Sequence, residues 1–164
     1  MFPANINNLA ETVIAVCTDK GLRLALAESC TGGLITAALI NVPGASNVVD
    51  RGLVTYANAA KMDLLGVPAE VLDTEGAVSE ATARAMADGA RAARDIDAAA
   101  AVTGIAGPGG GTAEKPVGRV HIAVARKGFE TRQRQFDFGD IGRDEVRLET
   151  VAEALEMLAG IVKD

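Results

Sequence analysis

Strand-length apolar runs alternating with Ala-rich helical stretches predict a single α/β domain over residues 1–164, a layered sandwich with helices flanking a mixed, mostly parallel sheet and a late β-hairpin. Three observations carry this reading. Apolar residues make up 49% of the chain, yet it holds only four Phe, one Tyr and no Trp, so the core is built from Ala, Val, Leu and Ile. That composition suits a sheet covered by helices on its faces. Two strand patterns also follow one another directly near the C-terminus, about a single glycine. No internal repeat or low-complexity linker divides the chain, and 164 residues fall within the usual span of one domain.

Each element has its own local reason. "INNLAETVIAVCTDKG" sets Leu9, Val13, Ile14 and Cys17 at helical spacing, with Gly21 as the stop. "LRLALA" is a short buried strand, and "TGGLITAALINVPG" a helix ended by Pro43 and Gly44. "VVDRGLVTY" reads as a strand. "NAAKMDLLGV" follows as a short helix, with Asn58 a candidate N-cap and Gly66 after the last turn. Ser79 opens a long helix rich in Ala, Met and Arg. "DAAAAVTGIAG" is a second buried strand running into the glycine-rich loop "GPGGGTAEKPVG". "RVHIAVARKG" and "ETRQRQFDFG" form the hairpin around Gly128. Val151, Leu155, Leu158 and Val162 then mark the apolar stripe of a C-terminal helix.

The formal net charge of −6 argues against a nucleic-acid partner, which asks for a basic face. No apolar run reaches about 18 residues, so no membrane span is expected, and a soluble cytoplasmic protein is the default. Cys17 and Cys30 are the only cysteines and suggest no disulfide framework. No His, Cys, Asp or Glu cluster has metal-ligand spacing, so no metal is expected.

In open α/β sheets ligands bind beyond the carboxyl ends of strands. Residues 28–33, 55–61 and 103–118 all fall there, which points to one shared site. Within "AESCTGG", a helix starting near Thr31, Gly32 and Gly33 would offer free backbone N–H groups for an anion or an oxyanion. Ser29, just before them, is placed as a nucleophile; equally, Ser29 and Thr31 serve as helix caps. A nucleophilic serine needs a base. The one histidine, His121, sits mid-strand and reads as structural, which leaves a lysine. Among five lysines, Lys61 alone lies among small residues that would bury its stem. Burial matters because only about one lysine in 2,500 is neutral at pH 7 with an unperturbed amine. Tyr56 stands close enough to orient that amine or relay a proton. Cys30 is the rival nucleophile or a small buried apolar residue. Thr103 and Gly104 end the second buried strand and would line a pocket. Arg143 and Arg147, four apart on one helix face, would clamp a phosphate or form surface salt bridges.

Several of these stretches, "AESCTGG", "VPGAS", "RGLVTYANAAKMDLLGV", "GAVSEATARAMADGA" and "VTGIAGPGGGTAEKPVGRVHIAV", resemble the C-terminal domain of the CinA (competence/damage-inducible) family from about residue 7 to 160. The resemblance implies a nicotinamide-nucleotide amidohydrolase in its stand-alone form, converting nicotinamide mononucleotide to nicotinate mononucleotide and ammonia. It maps the nucleophile onto Ser29 and the lysine onto Lys61, with Tyr56 in support. Amide groups around Cys30, Thr31, Gly32 and Gly33 would hold the oxyanion, and Arg143 or Arg147 the phosphate. No cofactor is expected, and a homo-oligomer is the expected assembly. Two alternatives stand beside this: a non-catalytic nucleotide-binding module of the same fold, and a Cys30-dependent amidase.

Overall fold

The computed structural model describes residues 1–164. Helix α1 (Ala4–Lys20) leads to strand β1 (Leu24–Glu28), helix α2 (Leu34–Ile40) and strand β2 (Val49–Val54). Helices α3 (Asn58–Leu65), α4 (Ala69–Thr74) and α5 (Glu80–Ala92) come next. Strands β3 (Ala98–Gly104), β4 (Arg119–Arg126) and β5 (Arg132–Asp137) and helix α6 (Arg143–Lys163) complete the chain. One sheet has the order β2-β1-β3-β4-β5. Strand β1 runs parallel to both neighbours, whereas β3–β4 and β4–β5 are antiparallel. The layered α/β sandwich with a late hairpin is the observed fold.

The pleat sorts side chains onto two faces. Leu24, Leu26, Ala98, Ala100, Val102, Val120, Ile122 and Val124 pack in one cluster with residues of α1, α2 and α6. Ala25, Ala27, Ala99, Ala101, Ala123 and Ala125 face the other cluster, with Ala83, Met86, Ala87 and Ala90 of α5. Alanine on both sides brings α5 close to the sheet, which accounts for the scarcity of large residues. The same closeness extends to α3: a Cβ on Gly89 would lie 1.9 Å from the Leu65 carbonyl oxygen.

Because β1, β2 and β3 run in parallel, Glu28, Val54 and Gly104 end at one edge of the sheet. Helix α2 leaves β1 for one face, while α5 returns to β3 on the other, so the end of β1 is the switch point where a crevice opens. Ser79 caps α5 by accepting from the Thr82 N–H at 3.1 Å.

Three local expectations are corrected. Helix α2 begins at Leu34, not near Thr31, because Gly32 (φ 60°) and Gly33 (φ 100°) take left-handed conformations that only a turn accommodates. Ala57, in extended conformation, precedes α3; Asn58 is already its first residue and caps nothing. Helix α4 had no counterpart in the sequence reading, although Pro68 before it and Glu70 in its first turn suit a helix start.

Candidate active site

Ser29 directly follows β1 and is held from both sides. Its N–H donates to Val102 O at 3.1 Å, and the Thr55 N–H donates to Glu28 O at 2.8 Å, so the ladders of β3 and β2 extend past the strand ends. Lys61 comes from the first turns of α3 and is 1% exposed. Its Nζ lies 3.1 Å from Ser29 Oγ, 2.8 Å from Thr55 O and 3.5 Å from Tyr56 O. All three neighbours are neutral oxygens, and burial holds the amine below the ordinary lysine range, with the nearby Cys30 acting weakly the other way. A neutral amine has two hydrogens and one lone pair. Given to the two carbonyls, the hydrogens leave the lone pair for the serine proton.

The turn after Ser29 is built around a group the sequence reading passed over. Glu28, fully buried, accepts from Thr31 Oγ1 (2.7 Å), Gly33 N–H (3.0 Å) and Ile35 N–H (3.1 Å) on one oxygen. Its other oxygen accepts from Thr36 N–H (2.8 Å) and Thr36 Oγ1 (2.7 Å). The carboxylate is thus the cap of α2, in place of Ser29 or Thr31. A lone acid ending an otherwise apolar strand was the available signal.

This capping decides which amides stay free. Gly32 N–H donates to Ser29 O at 3.1 Å, Leu34 N–H to Thr31 O at 3.3 Å, and Gly33 N–H to Glu28. Only the Cys30 and Thr31 N–H groups in the turn lack a protein oxygen acceptor; the one group they meet is the buried Cys30 sulfur, a weak acceptor. Of the amides expected to face an oxyanion, those of Gly32 and Gly33 are therefore spent on the turn itself. The Cys30 thiol is buried and pushed up to about 12, mainly by that burial.

A cavity of about 260 Å³ opens beside Ser29 and Lys61, walled by Val78, Thr103, Gly104 and the glycine-rich loop at Gly107. Its size falls just below the usual span of ligand sites, about 300–1,000 Å³. Thr103 Oγ1 donates to Ala77 O at 2.7 Å and fixes that wall. A Cβ on Gly104 would lie 2.6 Å from Val120 Cγ2, so the strand end is shaped by glycine. Arg143 lines the cavity and donates to Gly107 O at 2.8 Å. Arg147, one turn on, does not reach it: Nε donates to Cys30 O at 3.1 Å and a terminal nitrogen to Thr31 O at 3.0 Å. Tyr56 stands at the rim, 66% exposed, and its phenol makes no hydrogen bond. It meets the amine through its carbonyl, at 3.5 Å. His121 is buried against Gln133 at 2.9 Å and lies outside this cavity. Nowhere do three or more His, Cys, Asp or Glu gather as metal ligands.

Fold and site together define a layered α/β domain with a buried serine–lysine contact at the carboxyl edge of its parallel strands. The family model of the CinA C-terminal domain matches residues 6–162. The chain belongs to the CinA family. A CinA-like protein of Anaeromyxobacter dehalogenans is 52% identical over 159 residues, which cover 96% of this chain and 38% of the relative. A CinA-like protein of Syntrophotalea carbinolica is 49% identical over 158 residues, again 38% of its length. The chain therefore spans little more than a third of these curated relatives. Among solved structures, the competence/damage inducible protein CihA from Agrobacterium tumefaciens has a TM-score of 0.97 and 52% identity, covering 100% of this chain and 99% of that one. A CinA superfamily protein from Escherichia coli has a TM-score of 0.89 and 35% identity, over 95% and 90%. No helix is long and apolar enough to cross a membrane.

Proposed function

We propose that this domain hydrolyses a carboxamide through Ser29 and Lys61, and that the amide is that of nicotinamide mononucleotide. The observation carrying the reaction class is the Lys61 amine, 1% exposed, without a carboxylate partner and 3.1 Å from Ser29 Oγ. The substrate comes from the likeness to the CinA family.

In the proposed reaction, neutral Lys61 takes the Ser29 proton as the serine oxygen attacks the carboxamide carbon. The oxyanion that forms is met by the N–H groups of Cys30 and Thr31, the amides that directly follow the nucleophile and that otherwise meet only the weakly accepting Cys30 sulfur. Collapse breaks the C–N bond, Lys61 returns the proton to the departing ammonia, and an ester on Ser29 remains. Water then attacks the ester, giving one proton to Lys61, which passes it to the leaving serine oxygen. The products are the carboxylic acid and ammonia. Arg143 is the one guanidinium on the cavity and supplies the charge for an anionic substrate. A Cys30 nucleophile is disfavoured, since a thiol pushed up to about 12 is almost wholly protonated at pH 7.

Hydroxylamine tests the covalent step. Added during turnover, it should divert the Ser29 ester to the hydroxamate of the nucleotide acid, read by mass spectrometry. Ammonia release with no hydroxamate, and no ester on the Ser29 peptide after acid quench, would rule out the acyl-enzyme.

A further inference from the structure

We infer that Arg147 is a positioning residue that sets the oxyanion donors of the Ser29 turn, a role that rests on the amide hydrolysis proposed above. In a trans peptide the C=O and N–H point in opposite directions, so fixing the carbonyl of one residue aims the amide of the next. The carbonyl of Ser29 shares its peptide with the Cys30 N–H, and accepts from Gly32 N–H at 3.1 Å. The carbonyl of Cys30 shares its peptide with the Thr31 N–H, and accepts from Arg147 Nε at 3.1 Å. Both amides, which have no oxygen acceptor, are thus held from behind, one by the turn and the other by a cation from α6.

Arg147 does more than satisfy one acceptor. The same guanidinium donates to Thr31 O at 3.0 Å, so it grips two successive carbonyls in a fixed fork. A Cβ on Gly32 would stand 3.6 Å from its terminal nitrogen, so the guanidinium lies close over the turn. Its only carboxylate neighbour, Asp144, is 3.9 Å away and 89% exposed, a weak competitor for the charge. A charge-assisted bond to Cys30 O also polarises that peptide and makes the Thr31 N–H a stronger donor. Glu28 holds the far side of the same turn through Thr31 Oγ1 and Gly33 N–H. The turn is therefore clamped between one buried anion and one cation, and the two donors it leaves without an oxygen acceptor are the amides after the nucleophile.

The test compares wild type, Arg147→Met and Arg147→Lys by two readouts: ammonia release from nicotinamide mononucleotide, and the rate at which a fluorophosphonate labels Ser29. The labelling passes through the same oxyanion-bearing geometry without depending on the substrate. Loss of one such donor costs about 10²–10³ in kcat, and a misaimed donor is expected to cost about 10²-fold. Arg147→Met should show that fall in kcat with KM within about threefold, labelling slowed to a similar degree, and the pH at which activity rises unmoved. Arg147→Lys, which keeps the charge but reaches one carbonyl at a time, should recover part of the loss, and it carries the test if the methionine variant does not fold. Wild-type rates in both variants would overturn the inference. So would a raised KM at unchanged kcat, which would make Arg147 a substrate-binding residue. If wild type labels but releases no ammonia, the substrate reading fails alone, and the labelling ratio still decides for or against Arg147. Absence of both in wild type would overturn both readings.

Discussion

Glu28→Gln removes one charge from the interior and changes almost nothing in shape, so its cost can be worked from the hydrogen bonds. Placed with its carbonyl oxygen toward Thr31, Gly33 and Ile35, the carboxamide still accepts those three bonds. Its NH2 then faces Thr36 N–H and Thr36 Oγ1. The hydroxyl turns to accept instead, but the N–H meets another donor and is left unpaired in the interior. A hydrogen bond to a charged group is worth about 1.5–3 kcal/mol, and the three surviving bonds lose their charge assistance. The expected loss is about 3 kcal/mol, or roughly 6–12 °C in Tm for a domain of this size. Glu28→Ala strands all five donors and should cost about 4 kcal/mol or more. Urea unfolding followed by circular dichroism measures both. A Glu28→Gln variant within about 0.5 kcal/mol of wild type would refute the claim that this carboxylate fixes the nucleophile turn.

Further outcomes follow from the same geometry. The active base is the uncharged form of Lys61, and burial holds its amine below 10.5, so kcat/KM should rise with pH and level off below that value; Lys61→Met should lack the rise. The same depression means the unfolded chain binds the extra proton between the folded and unfolded pKa values. Stability should therefore increase with pH across that window, relative to Lys61→Met. Iodoacetamide at pH 7.5 should leave Cys30 unmodified in the folded protein and modify it once urea unfolds the chain. Tyr56→Phe should rise in activity at the same pH as wild type, because the phenol makes no contact with the amine; a displaced limb would restore a role for the hydroxyl.

Elements with their own periodicity were legible before any coordinates. The α6 stripe of Val151, Leu155, Leu158 and Val162 is buried throughout, and Gly21 and Gly66 end α1 and α3 in left-handed conformation. Strand ends were legible too, since glycines with Ser or Thr cluster where the parallel strands β1 and β3 stop. Side-chain direction was not. The sequence put Arg143 and Arg147 on one helix face, but four residues along α6 separate a cavity wall from the back of a turn. The start of α2 was misplaced because its cap lies six residues upstream of Leu34, in Glu28, which a local N-cap pattern does not contain. Tyr56 was rightly near Lys61 in the chain, but proximity did not tell phenol from carbonyl. The polar contacts at Ser29 depend on pairing across β1, β2 and β3, which the chain fixes only once folded.

Ammonia release from nicotinamide mononucleotide by purified wild type, Ser29→Ala and Lys61→Ala tests the central claim most directly. Turnover in wild type alone, with both variants folded and reduced by about 10³-fold or more, is the expected result. Turnover that survives in Ser29→Ala, or no ammonia from the folded wild type although calorimetry detects the bound nucleotide, would contradict it.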